Sequence, residues 1–116
     1  MDINILLFLK RPLAMHVFLD SNVLFKDYFF GNNTNKIILE YSRKGLINLY
    51  MAEIVKLELR KQFLDELEEK NRDLKKVIKD VTRLKIEKEI SLLDIDEHMN
   101  KFDKFYRNLS SGYSAS

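Results

Sequence analysis

The chain has 116 residues, enough for one domain, and its 46% apolar content is that of a sequence that buries a core. It holds no cysteine, which excludes disulfides, thiolate zinc sites and cysteine nucleophiles together and fits a reducing cytoplasm. Lys and Arg number 20 against 18 Asp and Glu, a balance too even to argue by itself for nucleic acid or an anionic membrane as partner.

The opening segment, MDINILLFLKRPLA, carries an apolar run from Ile3 to Leu9 around Asn4. That run falls well short of the roughly 20 residues that span a bilayer. Asp2 precedes it and Lys10-Arg11 follow, the reverse of a secretory signal's charge order. Met15 stands immediately before a strand-like stretch. Residues 1–14 therefore read as an upstream extension with Met15 as initiator, or else as an extra strand or short helix.

Residues 16–20, HVFLD, read as a short buried strand, and residues 22–30 as a helical turn carrying Leu24, Phe25 and Tyr28. FGNNTN (30–35) is a loop, because Gly and Asn tolerate positive φ and an Asn or Thr can cap the helix that follows. That helix is expected over 34–44, with Ile37, Ile38, Tyr41 and Leu39 on its apolar face. Arg43 and Lys44 suit its negative end, and Gly45 sits where a C′ glycine belongs. LINLYM (46–51) is the second strand. A long helix begins near Ala52 or Glu53, its stripe Phe63, Leu67, Leu74, Val77, Val81 and Leu84 at heptad spacing, interrupted by Lys70. Asp94 and Glu97 form a capping-box pattern, so a last helix starts near Ile95 and carries Met99, Phe102, Tyr106 and Leu109. Residues 53–109 then make an antiparallel helical hairpin, and residues 111–116 have no periodicity and read as a flexible tail.

Strand, helix, strand, long helix, helix is an α/β order: a short parallel sheet with helices, joined by a right-handed crossover, plus the hairpin. Two parallel strands alone make a poor sheet, since parallel strands are normally covered on both faces. A further copy or partner chain completing the sheet is therefore expected.

In open parallel sheets, sites form at the carboxyl ends of the strands. Asp20 stands at such an end, with Ser21 and Asn22 beside it. The helix after the second strand, MAEIVKLELRKQF, carries Glu53 and Glu58, and Glu58 falls near the boundary of its buried face. Two converging carboxylates, helped by an amide such as Asn22, are the oxygen-ligand start of a Mg²⁺ or Mn²⁺ site. Water activated by such an ion and attacking a phosphodiester is the matching chemistry.

HVFLDSNVLF resembles the opening strand and acidic turn of PIN-like nuclease domains, and Val55-Lys56-Leu57-Glu58-Leu59 resembles their second motif. The likeness covers about residues 15 to 110, and within the family it is nearest to the bacterial PIN-like group with a long helical hairpin. It implies a metal-dependent endonuclease, usually acting on RNA, with Asp20 and Glu58 as catalytic metal ligands and Ser21 and Asn22 in support. PIN-like domains take further aspartates from later segments. Asp94, Asp96 and Asp103 lie on the expected hairpin in no such motif, so residues 15–110 read as a partial domain.

Each residue also has a plainer role. Asp20 can be a helix cap with Ser21 and Asn22 as turn formers, and Glu58 a solvated helix glutamate. His16 is expected to pack at the strand start and His98 to lie on the surface, with no second His at zinc-ligand spacing. Lys56, Arg60 and Lys61 either line an approach for phosphates or form a solvated helix face. A different class of function, a non-catalytic interaction or oligomerisation module, would rest on the hairpin alone. A nucleic-acid-binding module without chemistry has the least support, for want of a basic stripe or aromatic platform.

Overall fold

The computed structural model describes residues 15–110, excepting the side chain of Ser110. The readings of residues 1–14 as an extension and of 111–116 as a tail lie outside these. The elements follow as β1 (Met15–Leu19), α1 (Ser21–Leu24), α2 (Asn33–Arg43), β2 (Ile47–Met51), α3 (Glu53–Arg83) and α4 (Ile95–Ser110). This is the α/β order expected, in a two-stranded sheet whose strands pair parallel from Met15↔Ile47 to Leu19↔Met51.

Alternation along the strands sorts their side chains. Leu19, Leu49 and Met51 are buried and Val17 packs against them. His16 and Phe18 are exposed on the opposite face, where their rings lie against Tyr50. The core joins these strand residues to Leu24, Tyr28, Phe30, Leu39, Leu59, Phe102 and Tyr106. Burying each such side chain contributes about 1.5–3 kcal/mol before ordering entropy is counted.

Several boundaries and two faces differ from expectation; the helix expected over 34–44 is Asn33–Arg43, which shortens the loop expected over 30–35, and the second strand begins at Ile47. The first strand stops at Leu19, because the Asp20 side chain accepts hydrogen bonds from the backbone of Asn22 and Val23 and starts a helix there. The helical turn is correspondingly short, ending at Leu24. On α2 the inward residues are Asn35 and Leu39, with Ile38 half-buried, while Ile37 and Tyr41 are 49% and 45% exposed. A polar side chain holds an inward position there, so the apolar pattern pointed along the wrong arc. The stripe of α3 is core only in its first part. Leu67 is buried, Leu74 and Val81 are half-buried, and Val77 and Leu84 are exposed.

The reason lies in the lengths. At 31 residues α3 runs about 46 Å, whereas the 16 residues of α4 reach about 24 Å. The two pack antiparallel as expected. Arg60 grips Asp103 through two hydrogen bonds of 2.8 and 3.1 Å, and Phe63 stacks on Phe102. Further along, Asn71 holds the backbone of Leu93 through both its N–H and its carbonyl. Beyond Asn71, α3 continues for about three turns with only the irregular return segment 84–94 to accompany it.

Candidate functional site

Parallel pairing fixes the position of the candidate site. Both strands end on the same edge, so Asp20, directly after Leu19, and the start of α3, separated from Met51 by Ala52 alone, belong to one edge of the sheet. Asp20 has extended backbone geometry and serves as the N-cap of α1. Its Oδ1 accepts from the backbone N–H of Asn22 at 2.9 Å and of Val23 at 3.3 Å. The plainer role of Asp20 is thus fulfilled, and it is compatible with a second role through Oδ2.

Ser21 is buried behind the cap, and Asn22 is exposed, meeting Asp20 through its backbone N–H. Glu58 lies in the second turn of α3 with its side chain exposed, next to fully buried Leu59. Among the described residues no group of three or more His, Cys, Asp or Glu side chains could hold a metal ion. Asp20 directly follows β1, and Glu58 stands in the second turn of the helix that follows β2.

Three basic residues in the first turns of α3 are paired. Lys56 pairs with Glu53 at 3.9 Å, Lys61 with Asp65 at 3.5 Å, and Arg60 with Asp103. These pairings make the first turns of α3 a charge-balanced stretch. Of the hairpin acids, Asp94 caps α4 by accepting from the Glu97 backbone N–H at 3.1 Å, and Asp103 is held by Arg60. The guanidinium's hydrogen bond keeps the Asp103 carboxyl below the usual carboxylate range despite partial burial. His16 is exposed against Tyr50 instead of packed, and His98 is half-buried instead of on the surface.

The strongest polar constellation is one the residue pattern did not single out. Asp27 accepts from the backbone N–H of Gly31 at 2.7 Å, from that of Asn32 at 3.0 Å, and from Asn35 Nδ2 at 2.9 Å. Asn35, only 2% exposed, also donates to the Val23 carbonyl. Burial pushes the Asp27 carboxyl upward, but the bonds from Asn32, Asn35 and Gly31 and the charge of Lys36 outweigh it and hold the group below its ordinary value. This knot ties the start of α2 and the loop before it to α1 and so steadies the element that Asp20 caps. An acid four residues before a Gly-Asn pair is the signal that was there to find.

A family model described as PIN domain matches residues 17–115. No curated protein and no solved structure gives a significant match.

Proposed function

The chain belongs to the PIN domain family, and from that premise we propose that it is a divalent-metal-dependent endonuclease acting on RNA in the cytoplasm. Asp20 and Glu58 are its catalytic carboxylates, with Ser21 and Asn22 in support and Mg²⁺ or Mn²⁺ as the ion. The observation that supports this reading is the shared carboxyl edge of β1 and β2: Asp20 directly follows the one strand, and the other leads into the helix that bears Glu58.

The residues fit such an ion in kind. Carboxylate oxygens are the ligands that Mg²⁺ and Mn²⁺ select, and a magnesium site commonly uses one or two of them with water and substrate phosphate for the rest. When bound, the ion would supply an activated water and neutralise charge on the scissile phosphate. The chain's own part is orientation. The cap bonds of α1 fix the Asp20 carboxylate through Oδ1, and Leu59, anchored in the core, sets the rotation of α3 from which Glu58 projects. Two acids make a weak site, so the isolated chain is expected to cleave feebly or not at all until a second copy or a partner completes the sheet. Among the described residues no helix is long and apolar enough to cross a membrane.

The test pairs a melt with a cleavage assay. Mn²⁺ should raise the melting temperature of the native chain, since an ion that binds only the folded state stabilises it. Asp20→Asn and Glu58→Gln should abolish that rise. Asparagine still caps a helix, so Asp20→Asn is expected to fold, whereas Asp20→Ala should also lose about 1 kcal/mol of stability. No response to the ion in the native chain would sink the assignment. Robust cleavage of a labelled single-stranded RNA by the isolated chain, lost in Asp20→Asn, would show instead that the two acids suffice.

One observation favours a second reading. Val77 and Leu84 stand exposed on the outer turns of α3, as in a helix that meets a partner. A non-catalytic hairpin module would keep its mass by light scattering in Asp20→Ala and would melt independently of divalent ions.

A further inference from the structure

Among the described residues, the sheet has one covered face and one bare one. Leu19, Leu49 and Met51 face the core, while Phe18 is 74% exposed on the other side, its ring stacked on Tyr50 at 4.9 Å and Tyr50 in turn against His16 at 5.4 Å. Parallel strands are ordinarily apolar on both faces because both are covered. Three adjoining aromatic rings on a two-stranded sheet are therefore a surface built to be covered.

We propose that the cover is the chain's own N-terminal segment, with the apolar run Ile3 to Leu9 laid across Phe18 and Tyr50. Three observations select this occupant. The segment joins the structure at Met15, the first residue of the very strand that bears His16 and Phe18. Its five-residue tether, Lys10 to Ala14, spans up to about 17 Å, the length of the five-residue strand itself, so the run can fold back over the whole face. And its content fits: six of the seven residues from Ile3 to Leu9 are large and apolar, whereas SGYSAS at the other end offers only Tyr113. A tethered segment also competes at an effective concentration on the order of millimolar, which favours it over a second copy of the chain in dilute solution.

The chain has no tryptophan and no cysteine, so either can be introduced as a sole reporter. In the full chain, Phe18→Trp should give a blue emission maximum and slow acrylamide quenching, and adding Ile5→Asp and Leu7→Asp should shift the emission to the red and speed quenching. If the indole disturbs the sheet, Phe18→Cys reads the same face by the rate at which its single thiol reacts. Protection in the native run that is lost in the double aspartate variant supports the proposal. An exposed reporter in both chains overturns it. So does a protected reporter in both, and if that protection fades on dilution, a second copy is the cover instead.

Discussion

Asp20 and Asp27 are seven residues apart and show how differently two aspartates reveal themselves. Asp20 stood out because it ends an apolar run, and the structure puts it at a strand end as expected. Asp27 did not, because its partners are two backbone N–H groups and one amide that converge only once the loop closes. Its lowered pKa makes it a stability element with a defined sign. A carboxyl that titrates lower in the folded chain than its ordinary 3.8 contributes stability that is fully present above that value and is lost as pH falls through the folded pKa. Asp27→Asn should destabilise the protein by roughly 1–2 kcal/mol at neutral pH, since the amide must turn a donor toward donors. Below pH 3.8 the gap between variant and native chain should narrow. Asp103, lowered by Arg60, keeps part of the acid sensitivity in both. Urea titrations at pH 7 and pH 3 give the two differences, and a gap that stays constant with pH would remove Asp27 from this role.

At the scale of elements, what could be read from the sequence depended on whether the signal was local. The C-terminus of α2 was legible because Gly45 marks it. Its φ is 76°, and the Gly45 and Leu46 N–H groups bond the carbonyls of Ser42 and Tyr41, the paired bonds of a Schellman ending. The end of α3 repeats that geometry with Lys85 at the left-handed position, φ 56°, its N–H on Thr82 and that of Ile86 on Val81. A lysine gives no such signal, so this ending was invisible beforehand. Nor could periodicity locate the inward arc of α2, where Asn35 is held by hydrogen bonds rather than by apolar contact. Around the candidate site, the strand end and the capping role of Asp20 were both legible, because an Asp-Ser-Asn turn directly after an apolar run is a local signal. Lys85 yields a direct prediction. Lys85→Gly should stabilise the chain by roughly 0.5–1 kcal/mol, because glycine adopts the left-handed conformation without steric cost. The urea midpoint should rise with an unchanged slope, and an unchanged or lower midpoint would mean that Lys85 is not strained there.

For the molecule as a whole, the question is whether the hairpin is a separate body or part of the α/β unit. The contacts that decide it lie far apart in sequence. Phe102, 2% exposed, stacks on Phe63 at 5.1 Å and on Tyr106 at 4.4 Å, and Phe29 meets both Phe63 and Phe105 edge-on. Tyr106 Oη donates to the Tyr28 carbonyl at 2.6 Å, buried and across 78 residues of chain. These rings and this bond clamp the segment between α1 and α2 onto the hairpin, so the two share one core. The expected consequence is a single transition: helix content, followed in the far ultraviolet, and aromatic packing, followed in the near ultraviolet, should be lost together on heating. Phe102→Ala should cost about 3–5 kcal/mol, through lost burial and the cavity left among the rings. Against the 5–15 kcal/mol that typically stabilises a domain, that should lower both signals in step. If the helix signal instead outlasts the aromatic one in the native chain, α3 and α4 stand by themselves, and the hairpin-module reading gains what the nuclease reading loses.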